Sequence, residues 1–401
     1  MKTYNDALKY LDWLCIFGIK KGLERIEALA AALGQPQNFY RTIHVAGTNG
    51  KGSVCAMLAE IFKVQGLKVG LFTSPHLESY CERIKINGVN ISEEDFAEMI
   101  FRVKDCNVVA THFEVLTAAA FLYFKMRRVD IAVIEVGLGG ILDSTNIITP
   151  ELSIITNVAL DHENILGDLE NIALNKAGII KEKIPIVTGA TGKPLEIIRH
   201  VAAEKNSPLY EVNPLSLVPA PLSLKGEYQK FNAAIAIKAA ELLGIDDDKI
   251  FSALAEVTWP GRFEVVENSA GVFVIDGAHN PHGAIALRES LDKNFPLGKR
   301  IWVFGVLNDK NFPDMIEILF RADDFVIVTK PDSKRAAKPE TICEILRRRG
   351  VECVAIENNF EAVERLKNFG GIKIIAGSLY LIGKVRNLIK CTETEIRGRH
   401  G

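Results

Sequence analysis

Short β-branched runs alternate with helical patterns along nearly the whole chain. Apolar runs at 42–46, 68–72, 130–136, 152–157 and 184–187 predict strands with helices between them, the alternation that winds a mostly parallel sheet. A stretch containing Pro208, Pro214, Pro219 and Pro221 interrupts the pattern, and a helix is expected from Tyr228 to Leu243. After Trp259-Pro260-Gly261 the alternation restarts, with strands at 272–276, 301–305, 325–329, 353–356 and 372–376. A domain boundary is expected there, dividing the chain into residues 1–258 and 259–390. Residues 391–401 form a polar stretch that reads as a flexible tail.

The most specific local signal is Gly47-Thr48-Asn49-Gly50-Lys51-Gly52-Ser53, between the apolar run Thr42–Ala46 and a helix-like stretch from Val54 to Val64. Closely spaced glycines let backbone N–H groups turn toward one anion, and the following helix adds its positive end. Lysine and serine can then reach phosphate oxygens and Mg2+. The spelling departs from the common G-x-x-x-x-G-K-[ST] form, because Gly52 separates Lys51 from Ser53. ATP or GTP is the ligand this pattern expects; the competing reading is a chance glycine cluster in a strand-to-helix turn. The fold class is therefore α/β: an N-terminal, doubly wound domain of phosphate-loop ATPase type, followed by a smaller, Rossmann-like α/β domain.

Composition narrows the class. A chain of 401 residues exceeds a usual single core, which agrees with two domains. A net charge of −2 with 24% charged residues gives no global bias toward nucleic acid or anionic membrane. Seven cysteines, odd in number and without a C-x-x-C pair, indicate neither a disulfide framework nor a zinc site, so reduced thiols and a cytoplasmic address are expected. The start MKTYNDALKY lacks a signal-peptide layout, and no apolar run approaches the ~18 residues of a membrane span.

Further polar residues fall at strand ends, where open α/β sheets bind ligands. Thr73-Ser74-Pro75-His76 follows one strand, Glu135 sits inside an apolar run before Gly137-Leu138-Gly139-Gly140, and Asp161-His162 closes the next strand. With Ser53 they suggest an oxygen-rich, His-assisted site for a divalent metal beside phosphate. Singly, Glu135 also reads as half of an ion pair and His162 as a turn histidine. The C-terminal half adds Trp259-Pro260-Gly261-Arg262-Phe263-Glu264, Asp276-Gly277-Ala278-His279-Asn280-Pro281, and Gly305 with Asp309-Lys310. An Arg, an Asp and a His at strand ends suit charge compensation at a transferring phosphoryl group, although the Asp276–Pro281 run alone also reads as a turn.

The run from His44 to Val54, with Thr73-Ser74-Pro75-His76-Leu77, Glu82-Arg83-Ile84, Glu135 to Gly140, Asp143, Thr145-Asn146, Asp161-His162, Lys176-Ala177-Gly178-Ile179 and Asp276 to Pro281, resembles the folylpolyglutamate synthase/dihydrofolate synthase family. The likeness spans about residues 20 to 385, in order. That family belongs to the Mur ligase superfamily, whose members join an amino acid to a carboxylate through an acyl phosphate. Mur ligases of cell-wall synthesis usually carry a UDP-sugar-binding domain ahead of the phosphate loop; the 46 residues before Gly47 are too few for one, which disfavours that branch.

The resemblance implies an ATP-dependent ligase adding L-glutamate to dihydropteroate, to the γ-carboxyl of folates, or to both. Gly47, Thr48, Asn49, Gly50, Lys51, Gly52 and Ser53 would hold the ATP phosphates, and Ser53, Ser74, Glu135, His162 and Lys176 would serve two Mg2+ sites. Lys176 matches a lysine carbamylated in many relatives. Gln229 and Asn232 match a helix near the nucleotide, Arg262, Asp276 and His279 match contacts to ATP and glutamate, and Ser378 would sit near the incoming amino acid. Lys51, Lys176 and His279 are the catalytic candidates. The expected protein is a monomer with no nucleic-acid or membrane partner. Three departures stand out: a segment before Lys176 that is one residue short, with Asn175 where Glu is common; Ile141 where Arg often follows the Gly-Gly pair; and an abridged stretch between Val187 and Lys225. The alternatives are a phosphate-loop ATPase module that makes no amide and another Mur-type amino-acid ligase.

Overall fold

The computed structural model describes residues 2–18, 20–161, 163–213 and 221–390. The candidate ligand His162, the prolines at 214 and 219 and the tail at 391–401 lie outside the described residues. The chain gathers into two compact units, one of residues up to Pro221 with Phe231–Val257, the other of Leu222–Lys230 with Thr258 onward. The helix Glu227–Leu242 gives its first turn to the second unit and the rest to the first.

The first unit is built on β1 (Arg41–Ala46), β2 (Val69–Phe72), β3 (Ile84–Ile86), β4 (Val89–Asn90), β5 (Ile131–Glu135), β6 (Leu152–Ile155), β7 (Ile186–Thr188) and β8 (Leu209–Glu211), in the order β4-β3-β2-β5-β1-β6-β7-β8. Strands β2, β5, β1, β6, β7 and β8 run parallel, while β3 and β4 are antiparallel additions at one edge. Central strands β5 and β6 are buried along their whole length, which is why they read as unbroken apolar runs. From β1 the chain departs toward β2 on one side, whereas from β6 it departs toward β7 on the other. The C-terminal end of β1 is thus a topological switch point, the place where such sheets bind ligands.

Sequence pattern missed β3, β4 and β8 because two or three residues cannot display a period. The Asn87-Gly88 turn, with φ of 48° and 82°, was the legible sign of the β3–β4 hairpin. Helix His112–Arg127 packs in the core of this unit, and Thr111 and Glu114 form a capping box at its start. The Glu114 carboxylate is buried and paired with Arg25 at 2.9 Å.

The second unit holds β9 (Glu264–Asn268), β10 (Gly271–Asp276), β11 (Arg300–Phe304), β12 (Phe325–Val328), β13 (Glu352–Ala355) and β14 (Ile372–Ala376), ordered β13-β12-β11-β14-β10-β9. All run parallel except β9, which pairs antiparallel with β10. Strand β9, not expected from sequence, carries Glu264 at its start and Glu267 near its end and is only half-buried. Trp302 and Phe304 meet Phe320 edge-on, with centroids 5.0 and 5.2 Å apart, each contact contributing about 1 kcal/mol beyond area burial. Among the described residues six cysteines are free thiols, and no helix is long and apolar enough to cross a membrane.

Candidate active site

The phosphate-loop segment leaves the end of β1 and turns into helix Lys51–Val64, which starts three residues before the stretch expected from sequence. Gly47 and Gly50 have φ of 148° and 81°, backbone that side chains other than glycine's rarely adopt. A Cβ on Gly47 would collide with Thr156 Oγ1, and one on Gly50 with Asn232 Oδ1. The loop is moored to the end of β6: Thr48 N donates to Asn157 O (2.9 Å), Asn49 N to Asn157 Oδ1 (3.0 Å), and Thr156 Oγ1 to Asn49 O (2.7 Å). Thr156 and Asn157 were not singled out from the sequence, although two polar residues directly after a strand were the available signal.

Two lysines converge on one carbonyl of this loop. Lys51 Nζ donates to Gly47 O (3.0 Å) and Thr48 O (3.2 Å), and Lys176 Nζ donates to Gly47 O (2.8 Å). Burial above all, and then Lys51, lower the Lys176 amine to about 7, against opposing pulls from Asp161 and Asp143. Glu135, at the end of β5, accepts from Ser74 N at 2.8 Å and is close enough to Cys55 to help raise its thiol, itself raised chiefly by burial. Ser53 is buried in the first helical turn. The fold thus brings Gly47–Ser53, Ser74, Glu135, Lys176 and Asn232 together in the first unit.

Among the described residues no three His, Cys, Asp or Glu side chains gather as metal ligands. The candidate set is mixed: the hydroxyls of Ser53 and Ser74, the buried carboxylate of Glu135, and Lys176. Hard oxygen donors with one carboxylate suit Mg2+, which keeps several waters and needs few protein ligands. The residues therefore fit the metal that the sequence implies.

In the second unit, Asp276 ends β10 and is buried. Its Oδ2 accepts from Tyr228 Oη (2.6 Å) and Phe263 N (2.7 Å), and its Oδ1 from Ala278 N (2.8 Å). Burial raises the carboxyl, while Tyr228, Arg262 and these amides oppose the rise. Arg262 Nη1 occupies the space a Cβ on Gly277 would need, and His279 Nδ1 donates to Gly277 O at 2.8 Å. A carbonyl only accepts, so the hydrogen of His279 is fixed on Nδ1. Asn280 caps helix Pro281–Asn294, so the run expected either as a turn or as a site is a strand end, a turn and a helix cap together. Ser378 lies two residues beyond Ala376, which is opposite Asp276 in the β10–β14 register, and its Oγ accepts from Tyr380 N at 3.2 Å. Gln229, fully buried beside Tyr228, belongs to the same unit. Tyr228 was missed from sequence because its partner is 48 positions away.

Two of the departures, Ile141 and Asn175, have local accounts. Ile141 is 47% exposed and its N–H donates to Asn175 O at 2.9 Å. The Asn175 amide oxygen occupies the space beside Gly139, so this residue packs on the glycine turn that precedes Ile141.

Comparison with known proteins follows the same order along the chain. Residues 45–212 match the Mur ligase middle domain, and residues 261–378 match the Mur ligase glutamate ligase domain. The dihydrofolate synthase/folylpolyglutamate synthase of Bacillus subtilis is 36% identical over 97% of this chain and 99% of that protein. The folylpolyglutamate synthase of Mycobacterium tuberculosis, solved with ADP and AMPPCP, is 30% identical with a TM-score of 0.88 over 97% of this chain and 99% of that one. The bifunctional enzyme of Yersinia pestis, complexed with AMPPNP and Mn ion, is 29% identical with a TM-score of 0.88 over 97% and 98% of the two chains.

Proposed function

Because this chain belongs to the folylpolyglutamate synthase/dihydrofolate synthase family of Mur ligases, we propose that it joins L-glutamate to dihydropteroate, to the γ-carboxyl of folates, or to both, driven by ATP. The observation that carries the reading is the loop after β1, where two glycines in left-handed or steeply extended backbone curl the chain around Gly47 O and two lysines meet there.

A carboxylate is a poor acyl donor because its leaving group would be oxide. Transfer of the γ-phosphoryl group of ATP to a carboxylate oxygen releases ADP and gives an acyl phosphate; attack by the glutamate amine then expels phosphate and leaves the amide. In the first unit the amides of Gly47–Ser53 cradle the transferring phosphates, Lys51 offsets their charge and Asn232 packs against the turn. Ser53, Ser74, Glu135 and Lys176 would hold Mg2+, which supplies charge compensation at the phosphoryl oxygens. In the second unit His279, whose Nδ1 is bound to Gly277 O, would serve as an orienting group for glutamate, and Ser378 would sit near the incoming amino acid.

Lys176 enters this reading as a carbamate. Addition of CO2 to the neutral amine, with one of its N–H protons lost to solvent, gives an anionic oxygen donor where an ammonium would repel a metal, and an amine lowered to about 7 is substantially neutral at physiological pH.

The experiment is release of ADP and phosphate with each candidate acceptor, with and without L-glutamate. Turnover should require acceptor and glutamate together and match γ-glutamyl product in amount. Equal ATP hydrolysis without any pterin would replace the ligase reading with an ATPase module.

A further inference from the structure

His44 is a fully buried titratable residue that the chemistry above does not use. It lies on β1, three residues before Gly47, and its Nε2 is 2.9 Å from Thr145 Oγ1. Thr145 Oγ1 in turn donates to Asp143 Oδ1 at 2.5 Å. A hydroxyl has one hydrogen, and here it goes to the carboxylate, so toward His44 the hydroxyl accepts and the imidazole must carry its hydrogen on Nε2. Burial first, and then Lys181, lower the ring to about 3 and keep it neutral. Its Nδ1 is then a bare lone pair, buried and without a hydrogen-bond partner.

An orphaned buried acceptor is destabilising, and an aliphatic side chain in this strand would avoid it. What the imidazole adds is the single N–H to Thr145. That bond commits Thr145 to Asp143, whose carboxylate then accepts from Thr145 N (3.0 Å) and Leu138 N (2.8 Å). Leu138 belongs to the glycine turn at 137–140, and this turn is pressed against the helix that carries Lys176: a Cβ on Gly140 would stand 2.5 Å from Asn175 O and 3.1 Å from Lys176 Cα. Lys176 Nζ then reaches Gly47 O, which β1 joins back to His44. The contacts close a ring through β1, the phosphate loop, Lys176, the glycine turn and the Asp143–Thr145 pair.

We propose that His44 is a positioning residue for the ligase reaction: its Nε2–H, relayed through Thr145 and Asp143, holds the glycine turn that seats Lys176 against the phosphate loop. This rests on the ligase reading above. The residue touches no reacting atom; it acts on where Lys176 stands.

The test compares His44→Leu, which deletes the N–H, with His44→Gln, whose side-chain amide can present one to the same hydroxyl, and Thr145→Val with Thr145→Ser. Glutamate-dependent ADP release, KM for ATP and melting temperature are measured on each. His44→Leu should lower kcat on the order of tenfold, as misplacement of a supporting group does, with KM for ATP within about twofold. Its melting temperature should not fall, because the orphaned Nδ1 goes with the ring. His44→Gln and Thr145→Ser should each recover most of the rate, and the His44→Leu/Thr145→Val double variant should be no slower than the slower single one, as members of one relay are. A His44→Leu rate within about twofold of wild type, a Gln variant as slow as Leu, or additive losses in the double variant would overturn the assignment. If His44→Leu does not fold, the Thr145 pair decides alone: recovery by Ser but not Val supports the relay, and equal rates for Ser and Val reject it. An absence of glutamate-dependent turnover in the wild type would instead defeat the ligase reading itself.

Discussion

Lys51 is the charged side chain that follows Gly50, at the start of the helix after the loop, and in this structure it caps the carbonyls of Gly47 and Thr48. With phosphate in the loop the same ammonium becomes its cation, so Lys51→Ala should lower kcat on the order of 100-fold or more, the scale of one preorganised charge. Steady-state kinetics with saturating ATP measures it; a near-normal rate would remove Gly47–Ser53 from the chemistry. Lys176 tests a different property. Removing dissolved CO2 should lower wild-type activity and bicarbonate should restore it. At a fixed CO2 concentration recovery should be fuller above about pH 7 than below, because CO2 adds only to the free amine and the amine titrates near 7. Lys176→Ala should be inactive and partly rescued by short carboxylic acids, whereas full activity of the Ala variant would exclude a carbamate role.

At the scale of elements, Glu264 joins the first residue of β9 to the last helix of the described chain. Its carboxylate accepts from Arg386 (2.8 and 2.9 Å) and from Gly261 N (2.9 Å), and Lys390 lies 2.7 Å away. Burial would raise the carboxyl, but Arg386, Lys390 and Gly261 N outweigh it and lower it to about 2 from an ordinary 4.5. The sign follows from linkage: the stabilisation is fully present above pH 4.5 and is lost as pH falls through 4.5 toward 2. Such a shift is worth about 3 kcal/mol. Glu264→Gln should therefore destabilise the protein in urea at neutral pH by about 2–3 kcal/mol, with the difference from wild type shrinking toward pH 2. A difference that stayed constant across the range would show that the carboxylate charge is not what holds the helix. This contact was not legible beforehand: β9 is short, with Glu264 at its start and Glu267 near its end, and its partners Arg386 and Lys390 are 122 and 126 positions away.

For the whole molecule, the alternation of apolar runs and helical stretches by itself determined the α/β class, the central strands of both sheets and the restart of the pattern after Trp259. Those features follow from burial on two faces of a parallel sheet, which leaves a local signature in each strand. The glycine loop after β1 was equally legible as a strand-to-helix turn, because its glycines answer to backbone conformation within seven residues. What only the tertiary structure decided is which polar groups face one another. Lys176 reaches the carbonyl of a residue 129 positions earlier, and Asp276 holds Tyr228 and Phe263 N, 48 and 13 positions before it. His44 was visible only as part of a motif, and its orphaned nitrogen and its bond to Thr145 appear only once β1 lies between β5 and β6. The physical reason is that any order of parallel strands leaves the same apolar runs in the sequence. The order alone sets which strand ends, and hence which buried donors and acceptors, come within hydrogen-bonding reach.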